Sequence, residues 1–135
     1  MATMTIAGLA RAGGVGVETI RYYQRRGLLP EPARTGGSSL TGGIRRYDAE
    51  VVRRLKFVRS AQAAGFTLEE VGELLKLDAT DDRPKAHAMA RARIAALDQK
   101  IHELEAAKVW LTRLADECNA SEIGRCPILQ AFEAS

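Results

Sequence analysis

Only two cysteines occur among the 135 residues, Cys118 and Cys126, with a single tryptophan and an aromatic content of 5%. A disulfide-stapled secreted scaffold is thereby excluded, and in a reducing compartment such a pair reads as thiols or ligands rather than a structural bridge. Long apolar runs are missing too, which excludes a membrane-spanning helix. The short opening Met1-Ala2-Thr3-Met4 lacks a basic region followed by an apolar core, so a cytoplasmic location is expected. Neither glycine nor proline appears between Pro84 and Gly124, so nothing there breaks a helix. With no paired carboxylates, phosphate-cradling glycine loop or nucleophile-base pair above chance, the chain reads as a non-enzyme.

What is present is unevenly spread. Residues 1–77 hold twelve Lys/Arg against seven Asp/Glu, a balance of +5, whereas residues 78–135 hold eight against ten, a balance of −2. The positive part is the candidate for phosphate contact. The length suits a small domain plus an extended helix that needs a partner to cover its apolar stripe.

Thr5 can cap a short helix with Ile6, Leu9 and Ala10 on one face, stopped by Gly13-Gly14. A second helix follows, with Val17, Ile20 and either Tyr23 or Leu28 inward, Arg21, Tyr22, Gln24, Arg25 and Arg26 outward, and Gly27 as C-terminal cap. Two short helices joined by a glycine turn make a helix-turn-helix whose second helix enters the major groove, although an ordinary helical hairpin has the same spacing. From Pro30 to Tyr47, Pro, Gly, Ser and Thr dominate, and the stretch closes on Ile44-Arg45-Arg46-Tyr47. It reads as a two-stranded wing from which Arg45 and Arg46 can clamp backbone phosphates. Asp48 then caps a third helix with Val51, Val52, Leu55, Val58 and Ala61 inward and Arg53, Arg54, Lys56 and Arg59 available to solvent or DNA. Thr67-Leu68-Glu69-Glu70 is a capping box opening a fourth helix, with Val71, Leu74, Leu75 and Leu77 on its buried face. These elements predict a mainly α protein with a winged helix-turn-helix domain over residues 4–78 and a hinge at 79–82.

Beyond the hinge, apolar residues recur on a heptad at Ala90, Ile94, Leu97, Ile101, Leu104, Leu111 and Ala115, interrupted by Lys108. A helix over 83–117 follows, too thin to be stable alone, and an antiparallel coiled coil between two copies would bury its stripe. Packing against the chain's own head domain is the competing arrangement.

Counted forward on the heptad, Cys118 falls at the next seam position, and Cys126 returns after seven intervening residues, followed by Pro127 and a last short helix with Ile128, Leu129 and Phe132 as its apolar face. Residues 118–135 thus read as a metal-binding loop and terminal helix. Two thiolates on a tight loop can span a soft ion linearly, which suits Cu(I), Ag(I), Au(I) or Hg(II). A tetrahedral zinc site would need His87 or His102 from another chain. A redox couple or a pair of incidental thiols has the same spacing.

The chain resembles the MerR family of transcriptional activators across nearly its whole length, in Thr5-Ile6, Val17-Glu18-Thr19-Ile20-Arg21-Tyr22-Tyr23, Gly27-Leu28-Leu29, Ile44-Arg45-Arg46-Tyr47 and Ala64-Gly65-Phe66-Thr67-Leu68-Glu69-Glu70-Val71. The resemblance implies a homodimer that binds a palindromic promoter with an overlong spacer and, on binding its effector, distorts the DNA into register for RNA polymerase. By position, it implies DNA contacts from Arg21 and Tyr22 on the recognition helix, Arg45 and Arg46 on the wing, and Lys56 and Arg59 beyond it. It also implies Cys118 and Cys126 as metal ligands. Family members that sense divalent ions carry a third cysteine at the place held here by Arg83, and copper, silver and gold sensors lack it. The resemblance therefore points to Cu(I), Ag(I) or Au(I), with Hg(II) second because the head looks closer to mercury regulators. Arg83 would either cap the bis-thiolate anion or project into water.

Overall fold

The computed structural model describes residues 3–32, 34–35, 44–120 and 123–134, and the side chains of the two strands lie outside that description. Among the described residues, six helices and one short antiparallel strand pair follow one another as α1 (Ile6–Gly13), α2 (Val17–Arg25), β1 (Arg34–Thr35), β2 (Ile44–Arg45), α3 (Ala49–Ala63), α4 (Leu68–Thr80), α5 (Arg83–Ala120) and α6 (Pro127–Glu133). The fold is mainly α, a winged helix-turn-helix followed by one long helix, a loop and a short terminal helix. It divides into two units, Met1–Ala88 and Met89–Ser135.

In the first unit the helix ends obey local chemistry. The Thr5 hydroxyl accepts from the Gly8 backbone N–H, and Asp48 accepts from Val51 N at 3.2 Å. Thr67 and Glu70 complete a reciprocal capping box, with Glu70 N donating to Thr67 Oγ1 at 3.2 Å and Thr67 N to Glu70 Oε1 at 2.8 Å. Leu9, Ile20, Tyr23, Leu28, Tyr47, Leu55, Val58 and Val71 form one core from all four helices and the end of the wing. Met4 and Tyr47 exchange two backbone hydrogen bonds at 2.8 Å, tying the strand's exit to the N-terminus. Tyr47 is 2% exposed, so the aromatic residue closing the wing is core. β1 and β2 pair Arg34 with Arg45 and Thr35 with Ile44. The glycine-rich tip between them lies outside the described residues.

Gly13 does more than stop α1. A Cβ there would fall 2.3 Å from Leu55 Cδ2, so the missing side chain lets α1 approach α3. Gly14 is the residue that turns the chain, at φ 68°.

Half of the polar stretch expected as a hinge, 79–82, is helix end. Ala79 and Thr80 close α4, leaving Asp81 and Asp82 as the turn. Asp81 takes the left-handed conformation at φ 50°, which aspartate tolerates better than most residues. Asp82 then accepts from Lys85 N at 3.3 Å and opens α5. That helix has 38 residues, about 57 Å at 1.5 Å per residue, and it runs three residues past the expected end at 117, so Cys118 is still helical.

In the second unit, Ile94, Leu97, Ile101, Leu104 and Leu111 are all exposed. The heptad stripe is therefore uncovered in a single chain.

Candidate nucleic-acid interface and metal centre

α2 presents Glu18, Arg21, Tyr22 and Arg25 on its exposed face. Arg21 Nη1 donates to Glu18 Oε1 at 3.3 Å, one turn away. The Arg25 guanidinium lies 6.0 Å from the centroid of the Tyr22 ring, which sits 6.2 Å from the Tyr23 ring. Tyr22 is thus held between a buried aromatic neighbour and a cation, with its outer edge open. Arg25 belongs to this surface and was not among the expected DNA contacts; its signal is the i,i+3 spacing from Tyr22.

Of the wing residues, Arg45 is placed only through its backbone, opposite Arg34. Arg46 is exposed and donates from Nε and Nη2 to Thr3 Oγ1 at 3.1 Å and Thr3 O at 3.2 Å. On α3, Lys56 is exposed, whereas each of the three arginines has a protein acceptor. Arg53 bonds Glu50 at 2.9 Å and Asp78 at 3.0 Å. Arg54 donates to Leu28 O at 2.8 Å, and Arg59 to Gly13 O at 2.7 Å. Gln24, expected outward, instead bridges Pro30 O at 3.1 Å and Tyr47 Oη at 3.0 Å. The Arg59 bond satisfies the carbonyl at the end of α1, which has no intrahelical donor, and the bonds to Leu28 O and Pro30 O hold the chain that follows α2.

Tyr23 is buried and its hydroxyl donates to Gln62 Oε1 across the α2–α3 contact. Burial pushes its pKa above 10.0, against the nearby Arg59 charge, which lowers it.

The second group of interest lies in the unit of α5 and α6. Cys118, in the last turn of α5, and Cys126, just before α6, are free, half-buried and have their sulfurs 3.6 Å apart. Backbone N–H donation from Leu129 is the first cause holding the Cys126 thiol below 9.0, helped by the Cys118 thiol and the Ile128 N–H and opposed by desolvation. The Cys118 thiol is raised, first by its hydrogen bond to Cys126, then by the Cys126 charge and desolvation. The contact between the two sulfurs thus shifts their acidities in opposite directions.

Thiolates about 2.3 Å from one ion stand about 3.8 Å apart at a tetrahedral angle and about 4.6 Å apart when linear. The observed 3.6 Å is near the first span and about 1 Å short of the second. The sulfurs therefore fit a soft ion, with modest opening for two-coordination. Among the described residues no group of three or more His, Cys, Asp or Glu side chains could hold a metal. Arg83 opens α5 and is exposed. No helix is long and apolar enough to cross a membrane among the described residues.

A winged helix-turn-helix with an exposed cationic recognition helix defines a DNA-binding regulator. Comparison with known proteins gives its family. The description "MerR HTH family regulatory protein" matches residues 4–78, and "MerR, DNA binding" matches residues 52–114. The chain is similar to the mercuric resistance operon regulatory protein of Serratia marcescens, 40% identical over 96% of this chain and 88% of that protein. It is also similar to the transcriptional regulator CueR of Yersinia pestis, 33% identical over 96% of this chain and 91% of that one. Among solved structures, the transcription regulator PbrR691 from Ralstonia metallidurans CH34 in complex with lead(II) superimposes with a TM-score of 0.71, at 35% identity, over 96% of this chain and 98% of that chain. The chain belongs to the MerR family, a family of DNA-binding transcriptional regulators and not of enzymes.

Proposed function

We propose that this chain is a homodimeric metal-responsive transcriptional regulator. It binds a palindromic promoter with an overlong spacer and activates RNA polymerase there by distorting the DNA when a soft ion binds Cys118 and Cys126. The first choice of ion is Cu(I), Ag(I) or Au(I). The observation that carries this reading is the pair of free, half-buried cysteines with their sulfurs 3.6 Å apart. With Arg83 where divalent sensors of the family carry a cysteine, two thiolates and a monovalent ion leave a net charge of −1. The Leu129 and Ile128 N–H groups face that charge at Cys126.

The remaining parts follow from the same frame. An exposed apolar stripe on a 38-residue helix supports antiparallel pairing with a second copy. Arg21, Tyr22, Arg45, Arg46 and Lys56 supply DNA contacts, with Arg25 added, and Arg59 contributes by bracing the helix-turn-helix. Residues 4–78 act as the DNA-binding domain, 79–82 as the hinge, 83–117 as the dimerisation helix and 118–135 as the sensing segment.

A second reading, Hg(II), rests on one observation: identity to the mercuric regulator is 40% against 33% for CueR. Two thiolates neutralise Hg(II) completely, whereas they leave a monovalent ion anionic. Anaerobic competition titration with Cu(I), Ag(I), Hg(II) and Zn(II), read by X-ray absorption, tests both. Selective two-sulfur uptake of monovalent ions supports the first, selective uptake of Hg(II) the second, and uptake of neither contradicts both.

A further inference from the structure

α6 has seven residues, too few to persist as a free helix, yet Cys126 at its start stands 3.6 Å from Cys118 at the end of α5. Something must hold it in place before an ion arrives. Arg125 and Glu133 pair across α6, which stiffens the segment without attaching it to α5. Beside the buried Leu114 of α5, two rings join the helices at their edge: Trp110 on α5 and Phe132 on α6 stand 5.6 Å apart between centroids, tilted by 49°, a favourable aromatic geometry.

The spacing makes this contact more than packing. Trp110 precedes Cys118 by eight residues, about 12 Å of helix, and Phe132 follows Cys126 by six, about 9 Å. The ring pair therefore sits at one end of the paired segments and the sulfur pair at the other, with α6 running back along α5. A clamp at the far end fixes the near end.

We infer that Trp110 and Phe132 are positioning residues for the two-sulfur site, latching α6 onto α5 so that Cys126 faces Cys118 before the ion binds. Without the latch, α6 must be ordered at the moment of binding, and that ordering cost comes out of affinity. The inference rests on the metal reading above.

The test is anaerobic Cu(I) uptake by the full-length dimer against a chromophoric Cu(I) chelator, for wild type, Trp110→Ala, Phe132→Ala, the double variant and Trp110→Phe. Trp110→Ala and Phe132→Ala are each expected to weaken binding by about tenfold, the scale on which groups supporting metal ligands act. The double variant should be no weaker than either single one, because the two residues act as a unit. Trp110→Phe restores most of the affinity. Helicity and dimerisation, followed by circular dichroism and sedimentation, should be unchanged, which separates positioning from folding. Trp110 is the single tryptophan, so its emission in the metal-free wild type should differ from that in metal-free Phe132→Ala, because the latch is present before the ion binds. Alanine variants that hold Cu(I) as tightly as wild type overturn the latch and leave the metal reading standing. A wild type that takes up no Cu(I) overturns the metal reading itself.

Discussion

The Arg59 guanidinium on α3 donates to the Gly13 carbonyl at the end of α1 at 2.7 Å. The bond closes the helix-turn-helix from behind, where the last carbonyls of α1 lack intrahelical donors. Arg59 and Lys56 sit three residues apart on one helix, but they do different work.

Replacing Arg59 by alanine should lower the stability of the DNA-binding unit by about 1 kcal/mol, the usual net worth of one hydrogen bond. Lys56→Ala should leave stability unchanged and reduce the slope of log affinity against log salt by about one phosphate contact. Thermal unfolding and promoter binding at several salt concentrations separate the two.

Gly13→Ala should be far more damaging than its size suggests. The added methyl would lie 2.3 Å from Leu55 Cδ2, so either α1 or the buried leucine must move. Overpacking of this kind costs about 1–3 kcal/mol. Denaturant unfolding of the Gly13→Ala and Gly13→Ala/Leu55→Ala proteins checks the cause, because trimming Leu55 should make the alanine at 13 less costly.

Tyr23 gives the domain an alkaline limit. Its pKa is raised above 10.0 by burial, so its contribution to stability is fully present below pH 10.0 and is lost as pH rises through the folded-state value. Tyr23→Phe should remove that loss while costing about 1 kcal/mol at neutral pH through the missing bond to Gln62. Melting temperatures from pH 7 to 11 would show the two curves converging.

The cysteines should not react alike. Cys126 is held below 9.0 and Cys118 is raised, so an alkylating reagent near neutral pH should label Cys126 first. Cys118→Ala removes a thiol donor from Cys126 and should move its labelling profile to higher pH. Mass spectrometry of partly labelled protein gives the order directly.

Much of the architecture was legible because the caps and periodicities are local. Thr5, Asp48 and the Thr67–Glu70 box each mark a helix start by a side chain satisfying an orphan N–H. The heptad from Ile94 to Leu111 showed an apolar stripe that one chain leaves exposed. Long-range bonds were invisible for the opposite reason. Nothing in the spacing of Arg54, Arg59 or Gln24 announces carbonyls 26, 46 and 6 residues away, and an arginine on an exposed face looks alike whether it meets phosphate or backbone. The same holds for Trp110, whose partner Phe132 lies beyond a loop. Cys118 and Cys126 were singled out by type and placement, while the opposed directions of their acidities depend on backbone N–H groups that only the folded α6 supplies.

Ion binding at Cys118 and Cys126 should be felt at the promoter. It is checked by in vitro transcription from a promoter that the protein binds, under anaerobic conditions, with Cu(I), Ag(I), Au(I) or Hg(II) added to wild type, Cys118→Ser and Cys126→Ser. Ion-dependent transcription is expected from the wild type and none from either variant, with promoter binding retained in all three. Ion-dependent output that survives in the serine variants, or a wild type that binds the ion with transcription unaltered, would contradict it.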